Sequence, residues 1–366
     1  MTKRFLFHFS LIALAALEVY RMYLLSPIPG SQESEMVHIS YPLWHYRWIA
    51  RSVLLLLAFY SLRSVLERRK LIPAITIVLC GFLTYAANFE MSADKMFHEA
   101  ETLMFTDAAA SELNDDALVI TVSVGNESHA YPIRYLEYHH RVADVVNGES
   151  VWVTYCNVCR SALVFKPIVA GNTTTFRLIG MDQFNAIFED RETKSWWAQA
   201  TGTCIAGERK GDQLAIFPAR QLTLGEWKSL FPKGKVMLPD PAYVPEYGDG
   251  SFEKGTIKST LVGSDTSSWG EKSWVIGIVY QDVARAYDWR HLQREKLIFD
   301  TIHGDTLIIS AHPDGMNFQV AKATWPNGHG SSCEPERAST VPIPARQMFW
   351  HTWRTFYPTT SRFPEP

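Results

Sequence analysis

The chain has 366 residues and a mass of 41.6 kDa, with 47% hydrophobic and 13% aromatic residues, including 12 Trp. That suffices for a large domain, or two smaller ones plus a membrane part, and argues against disorder. A formal net charge of -3 gives no sign of nucleic-acid binding, and five cysteines are too few for a disulfide scaffold.

Three apolar runs occupy the first ninety residues: Phe5–Leu25, Trp48–Leu62 and Leu71–Phe89. A hydrocarbon layer of about 30 Å takes roughly 20 helical residues to cross. The third run is free of charge. The first carries Glu18 and Arg21 towards its far end, and the second has Arg51 near its start, placed to snorkel to the interface. Lys3 and Arg4 precede the first run, and Arg63, Arg68, Arg69 and Lys70 separate the second from the third. The positive-inside rule puts both groups in the cytoplasm, and residues 26–47 and everything after Phe89 outside. The expectation is a multi-pass anchor over residues 1–90 in the cytoplasmic (inner) membrane of a bacterium, with an extracytoplasmic body. A cleaved signal peptide is the alternative for the first run, but no small-x-small site follows it cleanly.

The body reads as β-rich α+β, with a first lobe over residues 91–240 and a second over 241–366. Residues 91–113 read as a helix leading off the membrane. Leu118–Val124 alternates as a strand and is followed by a Gly125-Asn126 turn signal. Ala130-Tyr131-Pro132 opens the next element, Ile133–Val142 reads as a short helix, and Asn147-Gly148 is a turn. Val151–Phe165 then reads as strand, tight turn and strand, with Cys156 and Cys159 in the turn. Residues 173–180 form another strand, and 182–199 are dense in aromatics and charges. Residues 222–231 read as a helix capped by Thr223 with Glu226 three residues on. Residues 239–270, rich in Pro, Gly and Ser, read as a long connection.

The next stretch repeats what came before. Sliding residues 118–166 onto 274–322, an offset of 156 without gaps, gives ten identities in 49 positions. They include Ala130/Ala286, Tyr131/Tyr287, Arg134/Arg290, Asp144/Asp300 and Gly148/Gly304. An internal duplication producing two related lobes is the expectation. Cys156 then corresponds to His312 and Cys159 to Gly315, so one lobe carries the thiols. If the lobes pack about a pseudo-twofold axis, Cys156 and His312 come close.

The segments TYCNVC, GMDQFNAIFEDRETKSWWAQATG, the upstream AYP and the terminal MFWHTWRTFYPTT resemble, in the same order, the DUF3179 family of bacterial and archaeal proteins. Many members have Pro after the first cysteine, where this chain has Asn157. The DQFNAIFED version is similar to a branch that includes members labelled selenoproteins, which implies redox chemistry.

A Cys-x-x-Cys pair can shuttle between dithiol and disulfide, hold a soft metal ion, or staple a hairpin. In a strand–turn–strand it lacks the activating helix N-terminus, so Arg160 or a histidine has to supply positive charge. Cys156, Cys159, His139 and His312, with His129, His140 and Met316 as further candidates, form a soft set suited to Cu(I) or Zn. Asp182, Asn185, Glu189, Asp190, Arg191, Trp197 and Gln199 could line a polar cleft, the alternative being packing beneath a solvated face. Cys204 and Cys333 are left either as one disulfide or as separate thiols, and Cys80 lies inert in a span. The leading expectation is an anchored redox protein with an unknown redox partner or small-molecule substrate. A metal-binding protein and a binding module with a structural disulfide are the alternatives.

Overall fold

The computed structural model describes residues 2–67, 70–325 and 339–364. Arg68, Arg69 and Cys333 fall outside them. The chain forms two compact units that interleave along the sequence. One comprises Met1–His98, Thr174–Ala198 and Thr203–Gln213; the other comprises Glu99–Thr173, Gln199–Gly202 and Leu214–Pro366.

In the first unit three helices are long and apolar enough to cross a membrane: Lys3–Leu25, Arg47–Leu66 and Leu71–Glu90. Phe7, Leu11, Leu14, Ala58, Val65 and Cys80 pack them together, while Leu56, Phe59, Val78 and Phe82 lie exposed. A water-soluble bundle would bury such residues, but a lipid-facing one has no reason to. Arg51 does not snorkel. It turns inward and meets the buried Glu18 at 2.6 Å and 2.7 Å, because an unpaired carboxylate at that depth would be more costly than the paired arginine.

The same unit holds a four-stranded antiparallel sheet of Phe176–Asp182, Asn185–Asp190, Trp196–Ala198 and Cys204–Ala206. The DQFNAIFED segment makes its first hairpin. Gln183 and Phe184 take positive φ values of 51° and 59°, the left-handed pair that a two-residue hairpin needs. Gly180 sits where an added Cβ would lie 2.4 Å from the Leu25 carbonyl oxygen, so only glycine lets the strand approach the first helix.

The second unit begins without the expected helix over 91–113. A single turn, Ala93–Met96, ends the first stretch of the first unit; Phe105–Asp107 then pairs as an edge strand with Lys235–Met237. Sheet pairing overrides local helix propensity here. The five-stranded sheet runs Phe105–Asp107, Lys235–Met237, Glu127–Pro132, Leu118–Val124, Ala219–Thr223. A three-stranded meander of Arg141–Val146, Glu149–Cys156 and Ser161–Phe165 follows. The helix between them, Ile133–His139, is shorter than its sequence suggests. His140 adopts the left-handed conformation and Arg141 starts the next strand. Thr223 caps the helix Leu224–Leu230 as anticipated, its side chain accepting from the Glu226 N–H.

The later part of this unit has the same element order. Trp274–Tyr280 and Val283–Asp288 pair as a hairpin, helix Trp289–Glu295 follows, and Leu297–Ile302 and Asp305–Ala311 pair next. The registers match at an offset of 156: Val119 faces Pro132 as Val275 faces Asp288, and Arg141 faces Thr154 as Leu297 faces Ser310. The flanking strands match too. Ala219 opposes Val122 as Ala345 opposes Ile278, and Lys235 runs parallel beside His129 as Ser361 does beside Arg285. Each set closes on its own core, one around Leu118, Ile120, Tyr131 and Leu136, the other around Ile276, Tyr287, Leu292 and Ile309.

Candidate functional site: a buried thiol turn

Cys156 ends its strand opposite Ser161, and Cys159 lies in the connecting turn. The Arg160 N–H closes that turn on the Asn157 carbonyl at 3.1 Å, with Arg160 at a φ of 51°. Both cysteines are buried thiols, 1% and 0% exposed. Gln199 braces the hairpin beneath them. Its amide donates to the Thr154 hydroxyl and the Ser161 carbonyl, each at 3.1 Å, and its carbonyl accepts from the Ser161 hydroxyl at 2.9 Å.

The far end of the same unit supplies the turn's neighbours. The Phe349 N–H donates to the Cys159 carbonyl at 3.0 Å. Lys272 Nζ donates to the Val158 carbonyl at 3.0 Å and lies 3.2 Å from His351 Nε2, which itself lies 3.1 Å from the same carbonyl. Burial pushes the Lys272 ammonium below its ordinary value, while the charges of Cys159 and Cys156 pull it the other way. Burial, then the Lys272 charge, push His351 down to about 3, so the imidazole is neutral around pH 7. Lys272 is therefore a cation set beside the two-thiol turn.

Arg160, expected to activate the thiols, is committed elsewhere. Its guanidinium donates to the Phe252 and Glu253 carbonyls at 2.8 Å and 2.7 Å and stacks 3.6 Å from the Trp274 ring. On another side of the turn, Asn157 Nδ2 donates to the Glu137 carbonyl at 2.9 Å. Burial, followed by the charge of Glu253, raises the Glu137 carboxyl to about 8.

The histidines of the expected metal set have other partners. His139 Nε2 meets the Tyr247 hydroxyl at 2.7 Å, within a ring of Tyr138, Tyr243 and Tyr247. His312 lies 3.2 Å from Asp314 and 3.7 Å from Glu226. His129 is held by Asp144 at 2.7 Å and Glu127 at 2.9 Å. His140 is pushed down to about 3 by burial. Met316 packs on the first core. Among the described residues, no three His, Cys, Asp or Glu side chains gather to hold a metal ion.

The remaining polar candidates, other than Gln199, belong to the first unit. Asp182 accepts from the Met36 N–H at 2.9 Å, and burial raises its carboxyl to about 6. Asp190 accepts from Trp197 Nε1 at 2.8 Å and from the Ser195 N–H at 3.1 Å, fixing the turn that follows. Glu189 takes Arg177 at 2.6 Å and 2.9 Å together with Trp44 and Trp196. Asn185 is buried and Arg191 exposed. Cys204 donates to the Ala206 carbonyl at 3.3 Å, and burial pushes its thiol up to about 11, which suits an inert position.

Lys272 and His351 escaped the reading from sequence. His351 lies inside the MFWHTWRTFYPTT segment, which marked the region without a role. Lys272 sits in an unpatterned loop, and 114 residues separate it from Val158.

The fold and the site thus define a class: a β-rich body joined to three helices long and apolar enough to cross a membrane, with a buried two-thiol turn beside a lysine. The chain belongs to the family described as Protein of unknown function (DUF3179), whose model matches residues 100–360. No curated protein and no solved structure matches it.

Proposed function

We propose that this protein is a membrane-anchored, extracytoplasmic thiol–disulfide redox protein working through Cys156 and Cys159. The observation that carries this reading is Lys272, whose ammonium donates to the Val158 carbonyl, between the two cysteines, at 3.0 Å. A nearby cation favours the thiolate, the form that attacks a disulfide. In the reaction, one thiolate attacks a partner's disulfide to give a mixed disulfide, and the second displaces the partner. One S–S bond forms here as one breaks there; two electrons and two protons pass to the partner dithiol. The selenoprotein-labelled branch that DQFNAIFED resembles supports the same chemistry. The matched strand registers support an origin by duplication, after which one half kept the cysteines.

The test is a redox titration of the full chain in detergent against glutathione buffers, with the Cys156 and Cys159 pair trapped by mass-tagged alkylation. The expected result is one two-electron transition, tenfold in ratio for each step of about 30 mV, and its loss in C156S. A pair that stays dithiol, or stays disulfide, across the whole range overturns the proposal.

A second reading, Cu(I) handling, rests on two buried cysteines carried by one turn. Thiolate sulfur is a soft donor that suits Cu(I). One Cu(I) per chain after copper loading, lost in C156S, would favour it.

For the anchor we propose a cytoplasmic loop between the second and third spans. A cysteine placed at Lys70 should resist an impermeant thiol reagent in intact cells, and one placed at Glu101 should react. The reverse pattern overturns this topology.

A further inference from the structure

A cluster of arginines in the first unit plays no part in the thiol chemistry. Glu18, fully buried, receives Arg51 at 2.6 Å and 2.7 Å, Arg21 at 3.0 Å and Asn88 Nδ2 at 2.9 Å. Asn88 Oδ1 accepts from Arg21 and Arg51, each at 2.7 Å. One carboxylate therefore serves two guanidiniums. Arg177 is matched by Glu189. Among the described residues, Arg47 donates only to a neutral acceptor, the Trp44 carbonyl.

These cations converge on one indole. The guanidinium carbons of Arg47, Arg21 and Arg177 lie 4.1, 4.9 and 5.2 Å from the Trp44 ring centre, and that of Arg51 lies 4.5 Å from the Trp48 ring centre. Among the described residues, Glu18 and Glu189 pair with three of these guanidiniums, and Arg47 forms no ion pair. In addition, Arg21 Nε is buried with no hydrogen-bond partner, although Arg21 is only 3% exposed. Cation–π contact lowers the penalty of such crowding without neutralising it.

The cluster lies at one end of the three spans: late in the first, at the start of the second and at the close of the third. Exposed Tyr46, Trp48, Tyr85 and Phe89 mark the same level, the aromatic belt typical of headgroup depth. Guanidinium forks match phosphate oxygens. We propose that Arg47, supported by Arg21, Arg51 and Arg177, forms a phosphate-binding site occupied by the headgroup of an anionic phospholipid.

The test uses the full chain in detergent, with binding of phosphatidylglycerol, phosphatidylcholine and inorganic phosphate followed by native mass spectrometry and thermal shift. Phosphatidylglycerol should bind at least tenfold tighter than phosphatidylcholine, and inorganic phosphate should bind far more weakly. R47Q should lose about tenfold in phosphatidylglycerol affinity. R47K should retain part of it, and R63Q, at the opposite and exposed end of the same helix, should bind as wild type. Each variant's far-UV spectrum reports whether it folds; R47K keeps the test open if R47Q does not. Equal binding of the two lipids, or wild-type affinity in a folded R47Q, overturns the site. Inorganic phosphate binding as tightly as the lipid overturns the lipid as its source.

Discussion

Lys272 Nζ lies 3.0 Å from the carbonyl oxygen of Val158, so a lysine from the loop before the second hairpin seals the middle of the Cys156–Cys159 turn. A turn flanked by two thiols is thereby given a positive charge that its own hairpin does not supply. The contact ties the surroundings of the two thiols to the whole unit, because the loop and the turn are brought together only when both sheets are built.

Replacing Lys272 should therefore change reactivity more than fold. In K272M the turn loses a positive charge, and the apparent thiol pKa should rise. A rise of one unit equals about 1.4 kcal/mol and about a tenfold fall in thiolate below the pKa. The measurement is the pH profile of iodoacetamide alkylation of Cys156 and Cys159, with K272R expected to fall between wild type and K272M. An unchanged profile in K272M would remove the lysine from the mechanism.

Stability should fall on both sides of neutral pH, for opposite reasons. His140 and His351 have folded values of about 3 against an ordinary 6.5. Between those values the unfolded chain binds more protons, so their contribution, complete above 6.5, is lost as pH falls towards 3. Glu137 has a folded value of about 8 against an ordinary 4.5. There the folded chain binds more protons, so its contribution, complete below 4.5, is lost as pH rises towards 8. Melting temperatures from pH 4.5 to 9 should trace a dome. E137Q should flatten its alkaline limb and leave the acid limb, while H351Q should do the reverse. A Glu137 variant with an unchanged alkaline slope would contradict the assignment.

What the sequence disclosed followed local pattern. The strand Leu118–Val124, the cap at Thr223 and the hairpin around Cys156 announce themselves by alternation, capping chemistry and turn residues, which act over a few positions. The three spans are legible because lipid demands an uninterrupted apolar run. What was hidden depends on distant partners. Phe105–Asp107 is a strand only because Lys235–Met237 lies beside it. Arg160 looked like an activator because it adjoins Cys159, but the Phe252 and Glu253 carbonyls and Trp274 claim it. His139 looked like a ligand until Tyr247 took its nitrogen. In a folded unit, adjacency in sequence is a weak guide to which buried polar groups satisfy each other.

Gly277 should tolerate no side chain. An added Cβ would sit 2.2 Å from the Trp353 indole, which is fully buried. The ring sits in a core cluster with Val275, Ala286, Met348 and Trp350. G277A should destabilise by about 1–3 kcal/mol, the usual penalty of overpacking a filled core. Adding W353F, which removes part of the clashing ring, should recover some of that loss. Denaturant titration of the single and double variants gives the coupling, and an additive pair would place the clash elsewhere.

The two corresponding carboxylates, Asp144 and Asp300, allow a sharper comparison. Asp144 accepts the Tyr131 hydroxyl and His129 Nδ1, each at 2.7 Å; burial pulls its carboxyl upward, but those hydrogen bonds hold it below its ordinary value. Asp300 accepts the Tyr287 hydroxyl at 2.9 Å and takes Arg285 through Nε at 2.8 Å and Nη2 at 3.0 Å. The frames match, yet the partners differ in kind, an imidazole against a guanidinium. If Asp144 becomes Asn, His129 keeps Glu127 at 2.9 Å, so the loss is that of two hydrogen bonds to a carboxylate, about 2 kcal/mol. If Asp300 becomes Asn, Arg285 cannot deprotonate and its largely buried charge loses its carboxylate, a loss of about 3–5 kcal/mol. D300N should therefore be the less stable variant by urea titration at pH 7, with R285M partly restoring it by removing the stranded charge. Equal losses in the two variants would show that the two carboxylates act through their tyrosines alone.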